Sequence, residues 1–493
     1  MRQNLANFLL GRAELRPELR IGVTGRQVEL HDAVERGRCI AGDLAAAGLE
    51  PGDRIAVVDD TSTEYLVFWI GCQLAGVETA LINPTYPEDL LAQMLDVLQP
   101  DAVATRQGGT RADGRTSIGF SGVLSGPLRH GDALLPGIAA SSLPGLDREE
   151  TAVAGYMHTS GTTGLPKFCA QSHLYYLKLG RLLADELSIS PDDRVFAPLP
   201  MFHVNPLGYG FMGALTGYAD LVTVERFSAS GFWPTVKEEG ITVMVLHAPP
   251  VEIVKRRTTP EDAAGHRVRA MFYADEDFLL AYGIPVAMSC YGSTEVGGLS
   301  HVWQWRRGER AGIPEGMSHY AGRPRYDIDY AIADDGEILV RGREAGAIFE
   351  GYLRDGSVDP SLDEDGWFHT GDLGRMDEYG RMIFIERAAQ SIRSKGEFVP
   401  IDHVEQTFSV IDSLHDLALW KRPGQLRDEE EVILFVVADE VPMDRIAACS
   451  ETLPKFMRPV AVARVATIPR DAGAGKVQRN RLVPEDVIEW LPC

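Results

Sequence analysis

Apolar residues recur at helical spacing from Val28 to Leu49, and Pro51-Gly52-Asp53 then breaks the pattern ahead of the apolar run Arg54–Val58. That order predicts a helix, a turn and a buried strand. The cycle repeats, with Tyr65–Ala75 and Glu88–Leu98 reading as helices and Glu78–Ile82 and Ala102–Thr105 as strands. Strands that alternate with helices predict an α/β fold in which helices flank a mostly parallel sheet. Further buried strands are expected at Arg194–Pro198, Asp220–Val224, Thr242–Leu246 and Pro285–Cys290, with a helix over Ser228–Glu239. Between Gln107 and Leu146 periodicity is weak and Gly, Ser, Arg and Pro are frequent, which predicts a surface excursion.

The texture changes after about Tyr326. Short segments at Tyr330–Ala333, Glu337–Arg341 and Arg381–Glu386, separated by Asp334-Asp335-Gly336 and Tyr379-Gly380, predict a small antiparallel region. From Arg387 onward a separate apolar pattern suits a small additional domain. The length agrees: a chain of 493 residues exceeds the roughly 250 to 300 residues at which single cores stop growing.

Charge narrows the classes of partner. A formal net charge of -23 repels phosphodiester backbones, and no run of Lys and Arg offers a basic stripe, so nucleic acid is excluded as an expected partner. With eight lysines against forty arginines, each lysine is worth locating. The six cysteines are scattered without metal-binding spacing and read as free thiols of a reducing compartment. MRQNLANFLLGRAELR does not read as a secretory leader, and no stretch approaches the roughly 18 apolar residues of a membrane span. A cytoplasmic location is expected.

The segment TSGTTGLPK, Thr159 to Lys167, is the strongest local signal. Gly161 and Gly164 allow close backbone approach, Thr159, Ser160, Thr162 and Thr163 offer hydroxyl donors, and Lys167 supplies a cation, a combination that suits a triphosphate. The spacing differs from the GxxxxGK[ST] phosphate loop, and no helix is expected to open directly after the lysine.

TSGTTGxPK resembles the phosphate loop of the adenylate-forming superfamily, which includes acyl- and aryl-CoA synthetases, peptide-synthetase adenylation domains and luciferases. Further segments resembling that family follow in order: PMFHVNPL at Pro200–Leu207, YGSTE at Tyr291–Glu295, GEILVRG at Gly336–Gly342, GWFHTGDLG at Gly366–Gly374 and PRDAGAGKVQR at Pro469–Arg479. The resemblance covers essentially the whole chain. It implies a large N-terminal domain of mixed and parallel sheets over residues 1–386, a hinge at 387–390 and a small mobile C-terminal α+β lid domain over 391–493.

Family roles carry over position by position. Glu295 is a hard oxygen ligand of the kind Mg²⁺ takes together with phosphates, and the resemblance implies that it holds the metal. Tyr291, Gly292 and Ser293 are implied to border the adenine, and Thr294 to lie near the α-phosphate. Asp372, as an acceptor-only carboxylate, suits the two ribose hydroxyls, and Arg387 aligns with the arginine that helps to hold the ribose. Lys476 matches the C-terminal lysine that brings a cation to the reacting phosphate, where such a charge is worth several kcal/mol. His203 matches the histidine that gates or lines the route from ATP to the acyl group.

Together these imply an enzyme that uses ATP and Mg²⁺ to convert a small-molecule carboxylic acid to an acyl-adenylate with release of pyrophosphate, then transfers it to a thiol, with coenzyme A as the expected co-substrate. Three alternatives stay open from the sequence: adenylation for a carrier protein, ATP- and nitrite-dependent diazotisation of an aryl amine, and a nucleotide-binding regulator without turnover. Oligomeric state is open as well, a homodimer included. Some positions depart from the family pattern. Phe168 follows the loop lysine in place of a small residue, Ala389 and Gln390 stand at the hinge, and the loop before Lys476 carries one extra residue. AMFYADEDF at Ala270–Phe278 is short, and its Met271-Phe272-Tyr273 is similar to carnitine- and crotonobetaine-CoA ligase relatives.

Overall fold

The structure is a computed structural model that describes residues 3–86, 88–110, 116–131, 133–159, 166–273, 276–307, 320–378, 380–387, 392–394, 397–399, 401–423, 430–455, 457–470 and 477–493. The chain divides into two compact units. The first comprises Met1–Ala331 with Leu339–Thr370, and the second Ile332–Ile338 with Gly371–Cys493.

Two sheets organise the first unit. In one, six neighbouring strands are parallel, in the order Val286–Tyr291, Ala270–Phe272, Val243–Val245, Arg194–Phe196, Asp220–Thr223 and Arg20–Val23. His301–Arg306 adds antiparallel to the Val286–Tyr291 end and Val28–Glu29 to the other. The second sheet runs from Ser357–Asp359 through Gly351–Arg354, Lys167–Ser172, Val153–Thr159, Glu78–Ile82, Arg54–Val58, Ala102–Thr105 and Thr116–Gly119, with parallel pairing from Val153–Thr159 onward. Parallel strands are covered on both faces and therefore read as continuous apolar runs.

The helix Thr63–Ala75 is buried along its whole length, and the Ser62 hydroxyl caps it by accepting from the Tyr65 N–H at 3.0 Å. An all-round buried helix needs no polar face, which is why this stretch shows so little amphipathic contrast. The predicted strands Arg54–Val58, Glu78–Ile82 and Ala102–Thr105 and the helix Glu88–Leu98 form as expected, whereas Val28–Glu29 is a short strand ahead of a helix that begins at Leu30.

The stretch 107–146 is a correction to the sequence reading. Among its described residues, Ile118, Phe120 and Leu128 are buried, and Thr116–Gly119 extends the second sheet. The Phe120 ring stacks on Phe68 at 4.8 Å. Buried Asp43 holds the segment from below, its two carboxylate oxygens accepting from the Leu128 and Gly137 N–H groups at 2.8 and 2.7 Å.

In the second unit, Asp416–Pro423, Glu430–Val437, Ala461–Val465 and Val487–Pro492 form a four-stranded sheet. Its core gathers Leu419, Val432, Leu434, Val436 and Val462 with Val404 and Phe408 from the helix Ile401–Ser409 and Ile446 from the helix Met443–Glu451. This is the small α+β arrangement the sequence predicts. A turn closed by the Ala333 N–H on the Glu337 carbonyl at 2.9 Å and the antiparallel pairing of Asp372 through Met376 with Met382–Arg387 complete it. Among the described residues no helix is long and apolar enough to cross a membrane.

Candidate active site

The strand Val153–Thr159 delivers the first residue of the glycine–threonine loop, and its antiparallel neighbour Lys167–Ser172 begins at the loop lysine, so Thr159 and Lys167 face each other across the ladder. Residues 160–165 between them, including Ser160, Gly161, Thr162, Thr163 and Gly164, lie outside the described residues. Phe168 is fully buried in the cluster of Tyr156, Ala170 and Leu353. The bulky residue after the lysine therefore serves the core, because alternation along a strand sends it to the face opposite Lys167.

Glu295 stands where two sequence motifs meet. Its Oε1 accepts from the Thr159 hydroxyl at 3.3 Å and from the Tyr352 hydroxyl at 3.0 Å. The Lys167 ammonium lies 4.8 Å from the centroid of the Tyr352 ring. One tyrosine thus carries the cation on its ring face and orients the carboxylate with its hydroxyl. Tyr352 was not legible in the sequence, where GYLRDG carries no distinctive chemistry. Nor was Tyr175, whose hydroxyl donates to the Thr294 carbonyl at 2.8 Å.

Backbone hydrogen bonds, one of them from a separate segment, hold the turn Tyr291–Leu299. Gly298 N–H donates to the Ser293 carbonyl at 2.9 Å, Ser300 N–H to the Tyr291 carbonyl at 3.1 Å, and Phe349 N–H to the Glu295 carbonyl at 3.0 Å. Gly292 allows the turn to close, since a Cβ there would lie 1.7 Å from the Gly298 carbonyl oxygen. Tyr291 packs edge-on against buried His301 at 6.1 Å. Burial, helped by the charge of Arg325, pushes His301 down to about 3.

His203 lies just before the π-helical turn Asn205–Phe211. Its ring meets Phe202 edge-on at 4.8 Å and His158 at 6.1 Å. His158, adjacent to Thr159, is another residue that sequence reasoning passed over, although a histidine directly before the loop was visible. Its Nε2 accepts from the Asn83 N–H at 3.3 Å, and Nδ1 stands 3.2 Å from the Tyr86 hydroxyl. Burial, reinforced by His203, pushes His158 down to about 3, so it is neutral at physiological pH.

Magnesium is the one resident cofactor this chemistry implies, and the residues fit it. Among the described residues no group of three or more His, Cys, Asp and Glu side chains forms a closed cage. A single partly exposed carboxylate, steadied on one oxygen by two neutral hydroxyls, suits a cation that binds through one or two carboxylates and completes its shell with phosphate and water.

The second unit carries the remaining candidates. Asp372 is buried and faces Arg387 across the hairpin ladder. Next to it, the Gly371 N–H donates to Glu337 Oε1 at 2.8 Å. Lys476 lies outside the described residues, but the chain on either side of 471–476 is well tied down. Arg470 and Val477 form a backbone bridge, and the Gln478 N–H donates to the Pro469 carbonyl at 2.8 Å. Arg470 pairs with Asp416 at 2.8 Å, and Arg479 with Glu405 at 2.7 Å.

Residues 12–353 match the family model of the AMP-binding enzymes. The chain is 27% identical over 492 residues to the 3-[(3aS,4S,7aS)-7a-methyl-1,5-dioxo-octahydro-1H-inden-4-yl]propanoyl:CoA ligase of Rhodococcus jostii, with 93% of each chain covered. It is 25% identical over 475 residues to the crotonobetaine/carnitine–CoA ligase of Salmonella agona, covering 88% of this chain and 89% of that one. In fold it is similar to the o-succinylbenzoate coenzyme A synthetase of Bacillus subtilis in complex with AMP, at a TM-score of 0.81 with 20% identity and 98% of both chains covered. ATP-bound MatB from Rhodopseudomonas palustris gives a TM-score of 0.78 with 22% identity over 98% of both chains.

Proposed function

This chain belongs to the AMP-binding enzyme family, as an adenylate-forming member of the acyl-CoA ligase type, and on that premise we propose how its residues divide the reaction. The enzyme activates a carboxylic acid with ATP. A carboxylate oxygen attacks the α-phosphorus, pyrophosphate leaves, and the sulfur of coenzyme A then attacks the acyl carbonyl and expels AMP. In our reading Thr159–Gly164 and Lys167 cradle the phosphates, Glu295 takes the magnesium, and Thr294 lies beside the α-phosphate. Magnesium at that carboxylate, when bound, supplies charge neutralisation for the leaving pyrophosphate. Tyr291, Gly292 and Ser293 border the adenine, and Asp372 with Arg387 takes the ribose. Lys476 places a cation where negative charge develops on the phosphoryl oxygens. His203, against neutral His158, lines the passage to the acyl group.

The observation that carries this assignment is the sharing of Glu295 Oε1 between Thr159 and Tyr352 while the same tyrosine holds Lys167. An anion site needs its cation near, yet the metal carboxylate must not be neutralised by it. A tyrosine that takes the cation on its ring and holds the carboxylate with its hydroxyl meets both requirements.

We place the pivot between the two half-reactions at 387–390, of which 388–390 lie outside the described residues. A small side chain such as Ala389 can absorb a hinge rotation. A cytoplasmic setting accords with the thiols, since Cys39, Cys72, Cys169, Cys449 and Cys493 are free. Pyrophosphate release from MgATP with a panel of short, branched, aromatic, bicyclic and betaine-like acids tests the reading. An acid and coenzyme A together should give thioester and AMP. Turnover only with a carrier-protein pantetheine, or only with nitrite and an aryl amine, would overturn the assignment of the acceptor or of the acid.

A further inference from the structure

Arg325 sits behind the turn that bears Thr294 and Glu295, and all five of its N–H groups are used. Nε donates to Asp327 Oδ1 at 2.9 Å, and Nη1 donates to the carbonyls of Gly297 and Leu299 at 2.7 and 2.8 Å. Nη2 donates to Asp327 Oδ2 at 3.3 Å and to the Ala347 carbonyl. The Arg325 and Asp327 side chains are only 3% and 2% exposed. Lys178 adds a second cation to Asp327 at 3.0 Å and reaches Glu344 at 3.0 Å.

A buried ion pair of this kind stabilises weakly by itself, because desolvation consumes most of the attraction. Its effect is geometric. Three of the five donors go to carbonyls of two separate segments, the turn after Glu295 and the residue two before Phe349, whose N–H already holds the Glu295 carbonyl. Gly297 lets the two segments touch: its φ is +78°, and a Cβ there would lie 2.0 Å from the Ala347 oxygen.

We propose that Arg325, oriented by Asp327 and Lys178, is a positioning residue that clamps the Thr294–Leu299 turn onto Ala347 and so fixes the direction of the Glu295 carboxylate toward its metal. This inference rests on the assignment of Glu295 as the magnesium ligand. Outer partners that aim a metal ligand change metal affinity or activity by roughly 10- to 100-fold when lost. Lysine at 325 keeps the charge but cannot reproduce the planar fork.

The test uses the full-length enzyme with Arg325→Lys and the milder Asp327→Asn, which leaves the three carbonyl contacts in place. Two readouts are taken: amide hydrogen exchange across residues 291–299 without ligands, and the Mg²⁺ concentration at half-maximal pyrophosphate release. Arg325→Lys should speed exchange in the turn and raise the Mg²⁺ half-saturation about tenfold, with rate recovered by excess Mg²⁺. Asp327→Asn should shift it in the same direction by less, about threefold. A lowered melting temperature with unchanged Mg²⁺ dependence, or exchange in the turn no faster than in wild type, would overturn the clamp. Wild-type protein that turns over without any dependence on Mg²⁺ would instead overturn the assignment of Glu295, and the clamp's role toward a metal with it; the exchange data tell the two failures apart.

Discussion

The Glu295 corner of the large unit and the 470–477 region of the small unit solve opposite problems. At the corner Glu295 and the turn after it are held from several sides. Glu295 has two hydroxyls on one oxygen, its own carbonyl is taken by Phe349, and the following turn is gripped by Arg325. In the small unit the fixed contacts lie beside the lysine loop, through the Arg470–Val477 bridge and the Arg470–Asp416 and Arg479–Glu405 pairs. On the assignment proposed above, the phosphate-binding and metal-binding charges are built into a corner fixed by these contacts, while the cation proposed to act on the transition state belongs to residues 471–476, whose flanks are pinned.

If that contrast holds, the largest effect belongs to Lys476. Lys476→Ala should lower acid-dependent pyrophosphate release by about 10²- to 10³-fold while ATP affinity, measured by calorimetry, stays within about twofold. A parallel loss of ATP affinity would make Lys476 part of the built-in site and erase the distinction.

Smaller effects are expected within the corner, and they should be graded. Glu295→Gln should raise the Mg²⁺ half-saturation by at least about tenfold. Tyr352→Phe removes one neutral hydrogen bond to the carboxylate but keeps the ring under Lys167, so about 1 kcal/mol, or roughly fivefold, should be lost in kcat/KM. An unchanged kcat/KM in Tyr352→Phe would mean that Tyr352 acts through the ring under Lys167 and not on the metal carboxylate.

A separate test, on stability and not on turnover, distinguishes the units by acid. His158 and His301 are pushed down to about 3, and His173 to about 4, each first by burial, and all three belong to the large unit. Unfolded histidine titrates near 6.5. Below that pH the unfolded chain binds protons that the folded unit does not, so stability present above about 6.5 is lost as pH falls toward the folded values. The slope is about 1.4 kcal/mol per pH unit for each histidine. Melting followed by calorimetry between about pH 7 and pH 5 should show the large unit's transition falling, and His301→Gln should flatten that fall.

The fold was legible wherever burial was uniform. Strands such as Arg54–Val58 and Glu78–Ile82 are parallel and covered on both faces, so their apolar runs survive as pattern. The 107–146 stretch was misread because its order comes from long-range contacts: Phe120 reaches back to Phe68, and Asp43 caps two amides 85 and 94 residues away. The site divides the same way. Thr159, Lys167 and Glu295 announce themselves through motif spacing, but Tyr352 and Arg325 are chemically ordinary in sequence and acquire meaning only by facing Glu295 and the Gly297 and Leu299 carbonyls.

The central claim is that the enzyme forms an acyl-adenylate before any thiol takes part. Exchange of labelled pyrophosphate into ATP, with an accepted acid and MgATP but no coenzyme A, isolates that half-reaction. The account predicts acid-dependent exchange that vanishes in Lys476→Ala. Appearance of ADP and phosphate in place of exchange, with an acid that the enzyme converts to its thioester, would contradict it.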